Sequence, residues 1–314
     1  MPRSRFLTVA PGRLATISAA LAIAILCNPA GAQELAPRAY WPGPTGTKVV
    51  SLGYGYTDGD VLVDPAIPVE SVDNKTQSLA LSYYQIFGLA GRTAGLAITL
   101  PAATATIRAD LGSDEVSRTV SGMSDLKVRL GINLIGAPAM TPPEFKQWRK
   151  NLVPRILGAS LKIQLPTGEY NNDRVANIGT SRWAMKPELG YIEGLGTRDR
   201  WGLEMALGVW IYGKNDSFLG DRLEQEPMLS AEAHLVRLLP GAKWASIDLN
   251  YYQGGQTTRE GVTQDNRQRN SRYGFSFVFP IKRHQIRTSF SNSWEIEEGG
   301  DYLTLAVSYS YVWN

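Results

Sequence analysis

Cysteine and histidine are nearly missing from this chain: Cys27 is the lone cysteine, and His234 and His284 are the two histidines. A disulfide framework is excluded, and so is a thiolate metal site. A large net charge is missing too. The 314 residues hold 32 Lys and Arg against 29 Asp and Glu. Three of the basic residues, Arg3, Arg5 and Arg13, fall in the first 32 positions, which contain no acid, so the rest of the chain is formally neutral. Nucleic-acid binding therefore has no electrostatic support. After residue 32 no apolar run reaches the ~18 residues that a membrane-spanning helix needs.

Residues 1–32 read as a secretory signal. Three arginines precede a mostly apolar stretch from Leu14 to Leu26, and Ala30-Gly31-Ala32 offers a small-residue cleavage site before Gln33. Cys27 would leave with it. A lipid-modified Cys27 is disfavoured by the bulk of Leu26, and a retained anchor would be short.

What the chain has in abundance is period-two alternation. Near the C-terminus Leu303, Leu305, Val307, Tyr309, Tyr311 and Trp313 alternate with Thr304, Ala306, Ser308, Ser310 and Val312. Successive side chains of a strand point to opposite faces. Such a strand packs its apolar face on a second sheet in a soluble sandwich, or on lipid in a membrane barrel. Twelve strands are predicted, near 47–57, 76–87, 92–108, 123–136, 153–166, 181–194, 199–213, 225–238, 242–253, 270–281, 284–296 and 300–313. Connections after odd strands are mostly long and polar (58–75, 109–122, 167–180, 214–224, 254–269). Those after even strands (88–91, 195–198, 239–241, 282–283) are mostly tight. A sandwich has no reason to sort its loops by parity, whereas an outer-membrane barrel has long outer loops, short periplasmic turns and an even strand number. Without a spanning helix, only a closed barrel pairs every backbone group inside lipid.

The expectation is an all-β chain: a twelve-stranded antiparallel transmembrane β-barrel over 47–314, behind a signal peptide (1–32) and a periplasmic N-terminal segment (33–46). One even connection, 137–152, is long. Thr141-Pro142-Pro143-Glu144 predicts a capped helix around 142–150, either a plain periplasmic helix lying at the lipid interface or a partner-binding element.

Parity places Asp125, Lys127, Arg129, Lys162, Lys186, Glu188, Glu204, Glu232, His234, Asp248 and Arg287 opposite the apolar row of their own strands. Turning an Arg or Lys to mid-bilayer lipid costs about 2–4 kcal/mol, so these groups are expected to line the interior, with Tyr84, Trp210, Tyr212, Trp244 and Tyr252. That lining suits small amphipathic or aromatic solutes. The alternative is that the aromatics fill a narrow barrel and the charges pair off. Pro187 cannot donate to a ladder, so a bulge is expected there, as a kink or as a device aiming Lys186 and Glu188. Asp58, Asp60 and Asp64 lack the spacing of a calcium loop. Arg267, Arg269 and Arg272 are expected near the outer surface, on lipopolysaccharide phosphates or as solvated charges. A lipid hydrolase would need a lipid-facing histidine, and His234 faces inward. No catalytic residue, metal or cofactor is implied, and oligomeric state is left open.

Several stretches are familiar. Leu165-Pro166-Thr167-Gly168-Glu169-Tyr170, Asn177-Ile178-Gly179-Thr180-Ser181-Arg182-Trp183, Lys186-Pro187-Glu188-Leu189-Gly190 and Tyr251-Tyr252-Gln253-Gly254-Gly255 resemble the MetA-pathway-of-phenol-degradation transporter family. Gly136-Ala137-Pro138-Ala139 and Asn270-Ser271-Arg272 with Gly274 match it as well. The resemblance implies an outer-membrane barrel that helps aromatic compounds enter the cell. It implies no particular binding residues.

Overall fold

The computed structural model describes residues 36–59, 73–111, 114–150, 155–174, 176–195, 200–297 and 300–314. The expected signal peptide lies outside these residues, as do Asp60 and Asp64. Strand β1 (Lys48–Gly59) pairs antiparallel with β2 (Asp73–Leu89), and β2 with β3 (Arg92–Leu111). Along β3 two strands stand end to end, β4 (Asp114–Met123) and β5 (Leu126–Ile135), sharing one position in the wall. The wall continues through β6 (Ile156–Leu165), β7 (Ala184–Leu195), β8 (Trp201–Tyr212), β11 (Met228–Leu238), β12 (Trp244–Gly254), β15 (Gln268–Ile281), β16 (His284–Ile296) and β17 (Tyr302–Trp313). β17 then pairs with β1, from Lys48↔Trp313 to Gly59↔Tyr302, and closes a barrel of twelve strand positions. Closure leaves no free edge, which is the condition for a sheet to sit in hydrocarbon.

The register aligns the apolar rows sideways. Leu52 lies beside Leu81, and Leu81 beside Leu100. Leu189 lies beside Leu207, and Ile247 beside Phe275. All of these are exposed; Leu207 is 56% and Leu189 58% accessible. A continuous apolar belt of this kind has no protein layer over it, so its solvent is lipid. At the short-turn end the belt finishes in rings: Tyr311 stacks on Trp313, and the Tyr309 hydroxyl meets His284 Nδ1 at 2.6 Å. Aromatic girdles of this kind mark the membrane–water interface. On the other face small hydroxyls pair across strands, as in Ser51 Oγ to Ser310 Oγ at 2.8 Å.

Several loops differ from expectation. The connection predicted at 109–122 is largely strand β4, hairpinned onto β3. In its Asp114–Met123 stretch the even positions hold Val116 and Val120 together with Asp114, Arg118 and Gly122, so no continuous apolar row announces it. The loops at 214–224 and 254–269 carry β9 (Asn215–Phe218), β10 (Asp221–Gln225), β13 (Thr257–Arg259) and β14 (Val262–Thr263), a four-stranded sheet built around Phe218 and Leu223. The bulge expected at Pro187 does not form. β6 pairs with it in unbroken register, and β8 resumes at Glu188↔Gly208 in the register it held at Met185↔Ile211. Proline's missing N–H interrupts the β7–β8 ladder without inserting a residue. Gly208 lets the strands close there, since a Cβ on it would meet Pro187 O at 3.0 Å.

The helix α1 (Pro142–Trp148) forms as the capping box predicts: the Glu144 carboxylate accepts 2.7 Å bonds from Thr141 N–H and Thr141 Oγ1. These bonds hold the exposed Glu144 carboxyl below its usual range. The lipid-interface placement is corrected. Phe145 is buried in a cluster with Trp41, Met140, Ile86, Ile156, Ile192 and Val312, with Trp148 packed beside it.

The candidate site in the barrel interior

Residues 36–46, which precede the first strand, turn into the short-turn end of the barrel. Tyr40 anchors them. Gly158 of β6 and Gly190 of β7 sit directly opposite one another, and the Tyr40 ring occupies the slot their missing side chains leave. A Cβ on Gly190 would lie 2.0 Å from Tyr40 Cε2, and one on Gly158 2.3 Å from Cδ1. The Tyr40 hydroxyl lies 2.9 Å from Ser160 Oγ and donates to Glu188 Oε1 at 2.8 Å. Arg129 places its guanidinium over the same ring and donates to Ala39 O at 3.3 Å. Two lumen carboxylates take the backbone: Glu204 accepts from Arg38 N–H at 2.5 Å, and Glu232 from Ala36 N–H at 3.4 Å. Together with α1 the segment forms a stopper of apolar core and side-chain hydrogen bonds, with the Trp41 and Trp148 rings edge to face.

Above the stopper, strand parity delivers a charged network. Lys186 Nζ bridges Glu188 Oε2 at 2.6 Å and Glu232 Oε1 at 3.3 Å. Glu232 Oε2 lies 3.4 Å from His234 Nε2, and His234 Nδ1 lies 2.9 Å from Asp248 Oδ1. Asp248 also accepts from Ser276 Oγ, which accepts in turn from Arg287. The chain of contacts crosses β7, β11, β12, β15 and β16. Buried charges are tolerated where they are paired and hydrogen-bonded.

Aromatic faces alternate with these charges. Trp210 stacks on Tyr212 with centroids 6.4 Å apart. The amines of Lys162 and Lys186 lie 5.8 and 5.6 Å from the Trp210 ring, and Arg182 lies 5.0 Å from that of Tyr212. Tyr252 is fully buried beside Trp210 and Met228. Arg129, Lys162, Lys186, Glu188, Glu204, Trp210, Glu232, His234, Asp248 and Arg287 all have side chains turned in and nearly inaccessible. Lys127 shares their face but is half-buried.

Asp125 differs from the rest. Its carboxylate sits in the break between β4 and β5 and accepts from Gly168 N–H, Thr180 N–H, Thr180 Oγ1 and Gln164 Nε2 at 2.6–3.0 Å. It ties down the 166–183 connection, where Gly168 and Gly179 touch backbone to backbone. Arg272, expected at the outer surface, is buried instead. It lies 3.7 Å from the Tyr302 ring and donates to Ser291 Oγ and Ser293 Oγ. Its even number on β15, shared with Gly274 and Ser276, was the signal for that. Arg269 stays exposed, paired with Glu297 at 2.7 Å. Arg38, Tyr40 and Trp41 carried no sequence signal, because their segment has no period. Among the described residues both ring nitrogens of His234 face carboxylates, and no hydroxyl nucleophile is bonded to it.

A closed barrel with an outward lipid row and an inward polar network defines the class: an outer-membrane β-barrel. Residues 53–311 match the model of the family described as "Putative MetA-pathway of phenol degradation", and the chain belongs to that family. The barrel is similar to an outer membrane channel from Pseudomonas putida F1, at 20% identity and a TM-score of 0.72, over 92% of this chain and 100% of that one. It is also similar to the transport unit of the autotransporter AIDA-I from Escherichia coli, at 9% identity and a TM-score of 0.48, over 96% and 97% of the two chains. No curated protein matches the chain.

Proposed function

We propose that the barrel is a passive channel carrying small amphipathic or aromatic solutes across the outer membrane, down their gradient and without chemistry. The observation that carries this reading is the lining. Along Lys186, Glu188, Glu232, His234 and Asp248 its charges are paired laterally around the wall, and the Trp210 ring lies beside Lys162 and Lys186. A solute with a ring and a polar end meets complementary surface along this network, whose charges are already paired with one another. Membership of a family described by phenol degradation supports aromatic solutes, and the likeness to an outer membrane channel supports conduction. In this reading Lys127, Arg129, Lys162, Glu204, Trp210 and Arg287 line the path with that network.

A sealed surface barrel is the second reading, favoured by the stopper of residues 36–46 and α1. Single-channel recording of the purified mature chain in a planar bilayer separates the two. Discrete conductance steps are expected; silence, both in the wild type and after removal of residues 33–44, would overturn the channel.

A further inference from the structure

Arg38 is fully buried, yet among the described residues none of its three guanidinium nitrogens has a hydrogen-bond acceptor. Rings flank it. The guanidinium lies 4.2 Å from the centre of Trp41 and 5.6 Å from that of Trp244. Arg287 approaches Trp244 as well, at 6.0 Å. Among the described residues the indole N–H groups of Trp41 and Trp244 are buried without acceptors. Glu204, the carboxylate nearest in the network, already accepts from the Arg38 backbone N–H and makes no ion pair with its side chain. The residue is further marked by a left-handed backbone, φ 69.

Leaving a buried cation unpaired is unfavourable, and so is each orphaned donor. A buried guanidinium and two indole N–H groups, all without a hydrogen-bond partner among the described residues, are the complement of an acceptor-only, negatively charged group. A carboxylate fits the planar guanidinium fork with two parallel bonds. The neighbouring indoles of Trp41 and Trp244 supply apolar aromatic surface for a ring attached to it. We propose that Arg38, Trp41 and Trp244, with Arg287, form a binding site for a small aromatic carboxylate at the short-turn end of the lumen. The proposal rests on the channel reading and narrows its solutes to organic acids.

Calorimetry in detergent on the mature barrel tests it, with benzoate as probe, benzyl alcohol as its uncharged counterpart, and chloride and phosphate as inorganic anions. Saturable benzoate binding is expected, with no binding of benzyl alcohol and at least about tenfold weaker binding of the inorganic ions, the loss expected when one charge-assisted pair or its ring contact is missing. Arg38→Gln is expected to weaken benzoate about tenfold or more, and Arg38→Lys to retain part of it. Heat-modifiable electrophoretic migration shows that each variant is folded. Equal binding of benzyl alcohol, phosphate as tight as benzoate, or an undiminished Arg38→Gln would each overturn the site. Calorimetry reads the site whether or not the barrel conducts, so a silent bilayer would sink the channel and leave this result standing.

Discussion

Individual side chains divide into those that parity reveals and those that only packing reveals. Lys186 and Glu188 were legible, because even numbers on β7 oppose the exposed Leu189. Their partners were not, since pairing with Glu232 needs β7 and β11 to face each other across β8. Replacing Lys186 with Met would leave Glu188 and Glu232 buried around an uncharged chain. Breaking a buried pair by removing one partner costs about 3–5 kcal/mol, so reversible urea unfolding in detergent micelles should show a loss of that order, and an unchanged midpoint would refute the pairing. Glu144 was also legible, as the fourth residue of the capping box. Its folded-state pKa lies below the ordinary 4.5. Its contribution to α1 is therefore complete above about pH 4.5 and is lost as pH falls through the lowered value. Hydrogen exchange at the N-terminal amides of α1 should accelerate only in that acidic window, Glu144→Ala should be fast at every pH, and Glu144→Gln, which keeps an acceptor oxygen, should lose the pH dependence.

At the scale of elements, alternation located the wall strands within a few residues. It failed where a strand leaves the membrane. β4 and the β9–β10 and β13–β14 hairpins carry no apolar row, as expected of strands that are not required to face hydrocarbon. Pro187 misled in the opposite direction: a missing N–H suggested an extra residue, whereas Gly208 allowed the neighbouring strand to close over the gap. The stopper was illegible because its logic lies in two glycines on separate strands. That slot gives a sharp expectation. Gly190→Ala puts a methyl where Tyr40 now lies and should expel the N-terminal segment while the ladder stays intact. Single-channel steps should grow larger or longer-lived than in the wild type. Steps of unchanged size and lifetime would mean that Tyr40 is not what holds the segment. On the outer face Leu207→Arg would put a cation beside Leu189 in the lipid row, at a cost of about 2–4 kcal/mol, and should lower barrel stability in vesicles. Ser230 of β11, on the inward face with Glu232 and His234, is buried and makes no lipid contact.

The whole molecule follows from one partition. The outward row is dissolved in hydrocarbon, the inward row in a polar interior, and closure through β1 and β17 removes the edge between them. A channel, its stopper and an acid-binding end are arrangements of that interior. Cysteine placed at 207 and at 230, one at a time in a chain lacking Cys27, reports the partition directly through spin labels in lipid vesicles. Oxygen, which concentrates in hydrocarbon, should collide readily with the label at 207, while a polar nickel reagent should not. The label at 230 should be shielded from oxygen. Nickel reaching 207 as freely as oxygen, or oxygen favouring 230, would contradict the account.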